Sequence, residues 1–443
     1  MDALAIPEIL DLVCSYLDVA DVRRFRLCCR AFAHVAARYV FREIVFYLHH
    51  DDLDILRRLS MDPVISKNIH SIAYICATLD TRRMSRDDFQ SEYNHKRNLE
   101  KVCARYSNER PPPRLSNAQL DAFYRRYQLV MDHQDRILAE GIDFSILGEV
   151  MLRLTSLRNA TVSSDFRFHP SQVRSRRRKT PFDSCLVAPS WYLDPEACRH
   201  VDALLSAVCQ SNIQLEQLTI GQLSWRFFQK PPVELSRALS PCANLKTLQM
   251  FIDTGLDDSG PEPVWGTEVP ECREMVESGL VRDFIASLAR LEDIYVVFSD
   301  CSDLHGFPAR LENILRPGHR WAHLTSLTLG TISCERQELM AVFKRHRETL
   351  RHLCLRDIEL RSTSWLVLLR KVRKTLDLEK ACVCGNIYGI TEDTMSEYYG
   401  EEEYWDLRYP EEEPNALRKD VNDWLIQEYD DLGSRPPLLL ERH

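Results

Sequence analysis

A recurring leucine pattern constrains the fold of the second half of this chain more than any other feature. The pattern has the form L-x-x-L-x-L, often in degenerate form, and successive copies start about 30 residues apart, with two longer intervals. The clearest copies start at Leu215, Leu245, Leu291, Leu324 and Leu350. A poor last copy holds Leu378, Ala381 and Val383, and an incomplete first one holds Leu154 and Leu157. The alternation within each copy predicts a short strand with one buried face.

Helical patterns lie between the copies, at residues 201–209, 281–288, 336–346 and 364–374. Each unit therefore reads as a strand, a loop and a helix, which cannot bury its apolar face without stacking on its neighbours. These units resemble degenerate leucine-rich repeats, and the resemblance implies an irregular solenoid of parallel strands with outer helices. An ordinary α/β domain with parallel strands is the alternative. Either way, we expect the α/β (α+β) class.

The residues between the leucines point away from the predicted core, and the resemblance implies that they line the inner surface of the repeat domain. Most of these side chains are polar and uncharged, and Cys354 belongs to the same set. They are our candidate substrate-binding residues, with a solvated strand face as the alternative. The candidates are Gln217, Thr219, Thr247, Gln249, Asp293, Tyr295, Ser326, Thr328 and His352.

Residues 4–41 carry more apolar side chains than so short a segment can enclose by itself. Pro7 and Glu8 suit the first turn of a helix, and Asp18 with Asp21 predicts the start of a second. A third helix follows, through Phe32 to about residue 40. Three short helices with surplus apolar surface predict a docking module, the alternative being a helical hairpin packed on its own chain.

Four separated signatures in this stretch resemble an F-box: PEIL at 7–10, SYL at 15–17, DV at 21–22 and RLCCRAF at 26–32. The Leu-Pro pair that usually opens the motif appears as Ala5-Ile6, and the tryptophan common near its end is missing. The resemblance implies docking onto a Skp-family adaptor and, through it, a cullin. The adaptor-binding residues that it implies are Ile6, Pro7, Glu8, Ile9, Val13, Leu17, Val22, Phe25, Leu27, Cys28 and Phe32.

An F-box followed by degenerate leucine-rich repeats resembles the large family of F-box proteins in filamentous fungi. That resemblance implies the substrate-recognition subunit of a Skp–cullin–F-box ubiquitin ligase, which is not itself an enzyme. A repeat scaffold acting outside any ligase is the alternative. We divide the chain into an F-box (1–48), a mostly helical linker region (49–150), the repeat domain (151–395) and an acidic linker with a C-terminal capping helix (396–443).

Composition narrows the choice of partners. The formal net charge of −9 and the pI of about 5.9 argue against a general nucleic-acid binder. No apolar run is long enough to span a membrane, and early acidic residues interrupt any signal peptide. We therefore expect a cytoplasmic or nuclear protein with reduced thiols. The basic run RSRRRK, from Arg174 to Lys179, is a candidate nuclear import signal or an exposed loop without that role.

The sequence predicts no cofactor, no metal site and no catalytic arrangement. It holds no Gly-rich phosphate loop, no G-x-S-x-G elbow and no H-E-x-x-H. Cys382-x-Cys384 lacks a second pair at zinc spacing, so we expect ordinary thiols there. Near the end, we expect an exposed acidic linker over residues 397–413, the alternative being that its aromatic side chains hold it against the last repeat. A helix with Val421, Trp424 and Leu425 on one face should close the repeat stack, and a partner-binding helix is its alternative.

Overall fold

The chain divides into two compact units, which are described separately. The computed structural model describes residues 6–79, 83–107, 114–164, 182, 185–187, 198–257, 264–265, 267–299, 306–390, 402–410 and 415–426. The N-terminal unit comprises Met1–Asp194 with Arg199–Ile213, and the C-terminal unit comprises Pro195–Cys198 with Gln214–His443. No helix in the described ranges has the length and apolar content needed to cross a membrane. The basic run from Arg174 to Lys179 lies outside these ranges.

The N-terminal unit begins with three short helices that share a small core. They are α1 (Pro7–Tyr16), α2 (Val19–Phe25) and α3 (Arg30–Val40). Pro7 occupies the first turn of α1, and the Asp18 carboxylate accepts a hydrogen bond from the Asp21 amide to cap α2. The buried side chains are Leu10, Cys14, Val22, Val35, Ala36, Tyr39 and Val40. The helices therefore enclose a core of their own.

The rest of this unit packs helices against three parallel strands. The strands are β1 (Glu43–Tyr47), β2 (Ser71–Ile75) and β3 (Asn159–Ser163). The helices are α4 (His50–Met61), α5 (Pro63–Ser66), α6 (Arg86–Ser107), α7 (Asn117–Glu140), α8 (Ile142–Met151) and α9 (Arg199–Gln210). Strand β2 lies between the other two and pairs with both in parallel. Gly141, at φ 62°, ends α7 and lets the chain turn directly into α8.

Two buried polar contacts connect α8, α9 and β2. Arg199 donates two hydrogen bonds to Asp143, at 2.6 and 3.0 Å, and the Asp143 side chain is fully buried. His200 Nδ1 lies 3.1 Å from the Tyr74 hydroxyl. Burial lowers the pKa of His200 to about 4, in spite of the nearby Asp143 carboxylate. The imidazole is therefore neutral at pH 7.

The C-terminal unit contains strands alternating with helices and two 3₁₀ turns, Trp225–Gln229 and Ser240–Cys242. Its strands are β4 (Gln217–Ser224), β5 (Thr247–Asp253), β6 (Leu256–Asp257), β7 (Val264–Trp265), β8 (Asp293–Phe298), β9 (Ser326–Cys334), β10 (His352–Leu360), β11 (Lys380–Cys384), β12 (Asn386–Ile390) and β13 (Glu402–Asp406). Its helices are α10 (Pro232–Leu239), α11 (Val269–Glu277), α12 (Leu280–Ser287), α13 (Leu311–Ile314), α14 (Arg336–Arg345), α15 (Trp365–Thr375) and α16 (Ala416–Ile426).

Strands β4, β5, β8, β9, β10 and β11 pair in parallel and in one register. Gln217 faces Thr247, which faces Asp293, and the alignment continues through Ser326, His352 and Lys380. One residue further along, five of the six strands place an apolar side chain in the core: Leu218, Leu248, Ile294, Leu327 and Leu353. On β11 the equivalent residue is Ala381, which is half-buried. The copies of the leucine pattern thus lie on the strands of a mixed α/β unit with a mainly parallel sheet.

A left-handed residue recurs at one register position in four of these strands or immediately after them. Gln222, Thr331, Asp357 and Gly385 have φ of 62°, 54°, 47° and 73°, and each lies five positions after the first residue of its strand. Gly385 has no alternative, because a Cβ at that position would overlap the Asp357 carboxylate. The backbone conformation therefore recurs from strand to strand, as the leucines do.

The C-terminal end of this sheet differs from the predicted acidic linker. Residues Glu402–Asp406 form β13, which pairs antiparallel with β12. Glu403 is buried, and its carboxylate accepts a hydrogen bond of 2.7 Å from the Trp365 amide at the start of α15. An acidic side chain is stabilised there by the unpaired N–H groups of the helix. The described part of this segment is therefore structured, whereas we expected an exposed linker.

The two units do not coincide with the boundary that we set at residue 150. Strand β3 belongs with the N-terminal unit because it pairs with β2, and α9 belongs there because Arg199 pairs with Asp143. The segment 49–150, which we expected to be a mostly helical linker, supplies β2 and much of a buried core. At the other end, Val421, Trp424 and Leu425 are the buried side chains of α16.

Removal of the buried Asp143 carboxylate should destabilise the N-terminal unit strongly. Asp143→Ala leaves the Arg199 guanidinium largely buried without its partner, a situation that costs about 3 kcal/mol or more. Asp121→Ala is the matched control, because Asp121 pairs with Arg86 at 2.8 Å but is more than half exposed, where a pair contributes less than about 1 kcal/mol. Denaturant unfolding of both variants measures the difference, and equal losses would contradict the assignment.

Acidification should destabilise this unit through His200. Between about pH 6.5 and pH 4 the unfolded chain binds a proton at this residue that the folded chain does not, so stability falls as the pH falls. The loss amounts to about 3 kcal/mol over that range. The measurement is thermal unfolding of the wild type and of His200→Gln from pH 7.5 to pH 4.5, in which the stability difference between the two should change with pH. Parallel profiles would exclude this role for His200.

Candidate functional sites

The first candidate site is an apolar surface on the three N-terminal helices. Ile9, Leu12 and Tyr16 follow one another at helical spacing along α1, and all three side chains are exposed. Leu27, in the turn between α2 and α3, is 86% exposed, and Tyr16 is 84% exposed. Large apolar side chains that the core leaves uncovered over so short a segment are typical of a surface that another protein covers.

The predicted adaptor-binding residues differ in how far their side chains are exposed. Ile6, Pro7, Glu8, Ile9, Leu27 and Cys28 are exposed, and Val13, Leu17, Phe25 and Phe32 are half-buried. Phe25 and Phe32 stack on each other, with their ring centroids 4.3 Å apart, and pack against the core of the three helices.

Val22 does not belong in the predicted adaptor-binding set. Its side chain is only 1% exposed, because it lies in the core that α1, α2 and α3 share. It is therefore not available to a partner in this structure. Leu12 was missing from the predicted set, although its position three residues after Ile9 and four before Tyr16 indicated the same helix face.

The second candidate site is the polar face of the sheet in the C-terminal unit. The shared register brings the predicted substrate-binding residues into two rows across the strands. The first row holds Gln217, Thr247, Asp293, Ser326 and His352, and the second holds Thr219, Gln249, Tyr295 and Thr328. Gln217 is exposed and the others are half-buried. The rows form a continuous surface of polar side chains.

Neighbouring members of these rows bind one another. Thr219 donates a hydrogen bond of 3.2 Å to Gln249, and the Asp293 carboxylate accepts hydrogen bonds from Gln249 and Ser326. Burial raises the pKa of Asp293, and these hydrogen bonds oppose the shift. Such a network offers oriented donors and acceptors to a ligand with few side chains left to order.

A pocket of about 380 Å³ lies at the β11 end of this face. Ser326, Thr328 and His352 line it from the two rows, and Asp423 and Ile426 line it from α16. The Asn422 side chain accepts a hydrogen bond of 2.8 Å from the Val383 amide, which fixes α16 against the free edge of β11. Helix α16 therefore forms one wall of the pocket.

Three cysteine thiols meet beside this pocket. Cys354 on β10 is the register partner of Cys382 on β11, and Cys384 follows two residues later on the same face. The Sγ atoms of all three lie within 4.8 Å of one another, and Cys354 and Cys382 line the pocket. Within the part of the chain that the structure describes, this is the one cluster whose side chains could hold a metal ion.

The three thiols do not titrate alike. Hydrogen bonds from Cys354 and Cys384 hold the pKa of the Cys382 thiol well below its usual range, and Arg356 and Arg418 act in the same direction. The pKa of Cys354 is raised mainly by its hydrogen bond with Cys382, and the pKa of Cys384 by its hydrogen bonds with both other thiols. Burial raises both pKa values further.

The sequence search missed this cluster because it looked for a second C-x-C pair along the chain. The third thiol comes from the neighbouring strand instead. Cys354 was already assigned to the outward face of its copy, and Cys382 occupies the equivalent position of the poor last copy. Alignment of the copies was thus the signal that could have found the pair. His49 and His50 lie at the start of α4, where the His49 side chain accepts a hydrogen bond from the Asp51 amide.

No family model matches the sequence, and no curated protein matches it at a significant level.

Substitutions at Val22 and Leu27 should separate the core of the three helices from their exposed surface. Val22→Ala removes buried methyl groups and should lower the free energy of unfolding by about 1–2 kcal/mol. Leu27→Ala should change it by no more than about 0.5 kcal/mol, because the side chain is already in water. Denaturant unfolding measures both. A larger loss at Leu27 than at Val22 would reverse the assignment of core and surface.

Proposed function

We propose that this protein is the substrate-recognition subunit of a Skp–cullin–F-box ubiquitin ligase, an assembly of the cytoplasm or nucleus. The N-terminal helices dock on a Skp-family adaptor, and the C-terminal unit holds a target protein. Ubiquitin transfer is performed by other subunits, and this chain contributes proximity between them and the target.

The exposed apolar surface of α1 and of the turn at Leu27 is the observation that carries the proposal. The three helices bury their own core, so this surface is not needed to complete it. Three of its side chains, Ile9, Tyr16 and Leu27, lie in the PEIL, SYL and RLCCRAF signatures that resemble an F-box. Apolar anchors of this kind supply most of the binding energy at the centre of protein interfaces.

The polar rows of the C-terminal unit support the second half of the proposal. A parallel sheet that is buried on both faces would carry apolar side chains on both. Here one face carries leucines and the other carries half-buried threonine, glutamine and serine. We infer that a segment of the target lies across these rows, with hydrogen bonds from the side chains to its backbone.

Adaptor binding is the direct test. The full chain should form a stable complex with a purified Skp-family adaptor in size-exclusion chromatography and in pulldown. Leu27→Glu and, separately, Ile9→Asp should each weaken that complex by more than about 10-fold, since each places a charge in a desolvated contact. Titration calorimetry measures the affinities.

Val233→Asp is the matched control, because Val233 is an apolar side chain of the other unit and is 81% exposed. It should leave adaptor affinity and stability unchanged. A folded wild type that binds no adaptor would contradict the ligase proposal and favour a scaffold outside any ligase. Full affinity in both charged variants would show that α1 and Leu27 are not the contact.

A further inference from the structure

The three-cysteine cluster is a site that neither the sequence resemblance nor the proposed function uses. Cys354, Cys382 and Cys384 are free thiols in the structure, and they project from one face of two paired strands. We propose that Cys354, Cys382 and Cys384 bind a zinc ion as thiolates, with the fourth coordination position open to the adjacent pocket.

The distances fit a tetrahedral ion. Zinc–sulfur bonds of about 2.3 Å in tetrahedral geometry place the sulfur atoms about 3.8 Å apart. Every pair of Sγ atoms here already lies within 4.8 Å. Closing onto an ion therefore requires each pair to approach by no more than about 1 Å, which small rotations of the side chains provide. The backbone of β10 and β11 does not have to move.

The rigidity of the supporting strands favours a prepared site. Cys354 and Cys382 are directly opposed in a parallel pair, and the Gly385 turn follows Cys384 at once. The Asn386 amide donates a hydrogen bond of 2.8 Å to Asp357, which connects the turn back to β10. The positions of all three sulfur atoms are thus set by paired backbone rather than by a loop.

The donor set selects the class of ion. Sulfur ligands suit zinc and copper(I), whereas magnesium and calcium require oxygen. Binding releases into solvent the protons that the cluster still carries and leaves three thiolates on the ion. The complex with Zn²⁺ then has one net negative charge, which the positive charges of Arg356 and Arg418 near Cys382 offset.

The pocket explains why only three protein ligands are present. Cys354 and Cys382 form part of its wall together with His352, Ser326 and Thr328. A zinc site with three protein ligands keeps its fourth position for water or for a ligand atom. The ion would therefore lie at the end of the polar rows, where a donor group of a bound molecule can reach it.

Zinc binding by the reduced full-length chain tests the proposal. After chelation and removal of the chelator, the wild type should take up one equivalent of Zn²⁺ that resists gel filtration, as measured by elemental mass spectrometry. Cobalt(II) in its place should show sulfur-to-metal charge-transfer bands and the intense visible bands of a tetrahedral ion. Cys354→Ser and Cys382→Ser should weaken zinc binding by more than about 100-fold, because groups that only orient ligands already contribute about 10- to 100-fold.

The double variant with Cys28→Ser and Cys29→Ser is the matched control, because both residues are exposed thiols far along the chain from the cluster. It should keep the full equivalent. Should a serine variant unfold, alkylation of the wild type gives a second readout: zinc should protect the half-buried Cys354 and Cys382 from iodoacetamide, while the exposed Cys28 and Cys29 stay reactive.

Three results would overturn the proposal. They are no retained zinc in the folded, reduced wild type, equal binding by the Cys382→Ser variant, and binding that is lost with Cys28 and Cys29. Tight copper(I) binding without zinc affinity would also overturn the assignment to zinc. None of these outcomes depends on adaptor binding, so failure here is distinguishable from failure of the proposed function.

Discussion

The parallel pairing that holds six strands in one register is the interaction on which the C-terminal unit depends. It aligns Leu218, Leu248, Ile294, Leu327 and Leu353 into one buried row. Because side chains alternate along a strand, the same alignment creates the polar rows beside it. A slip of one residue would exchange the two faces, so the core and the candidate binding surface are specified together.

The N-terminal unit solves a different physical problem. Its first three helices are too short to bury all of their apolar side chains, and their core accommodates Val22 while Tyr16 and Leu27 remain in water. Elsewhere in the unit, buried polar groups are matched closely, as in the Arg199–Asp143 pair and in Gln134, which exchanges two hydrogen bonds with the Leu79 backbone. The uncovered apolar surface is therefore a local property of the three helices.

The cysteine cluster shows how a shared register can bring together side chains that no single strand contains. Cys354 and Cys382 occupy equivalent positions of successive strands, so the pairing that buries the leucines also brings their sulfur atoms together. Cys384 joins them because it is two residues further along, on the same face. The polar rows, the pocket and the thiols are consecutive parts of one surface of the sheet.

Local sequence suffices to predict β4, β5, β8, β9, β10 and β11 and the direction in which their side chains point, because strand periodicity is a local property that each leucine copy carries. It also determined the caps at Pro7 and Asp18. Packing between helices sets which apolar side chains of the three helices are covered, since Val22 and Leu27 are both apolar and differ in what packs on them. The tertiary structure likewise decided that β3 joins the N-terminal unit, that Glu403 caps α15, and that Cys354 meets Cys382. Each of these depends on residues distant in the chain, and contacts between distant residues have no local signature.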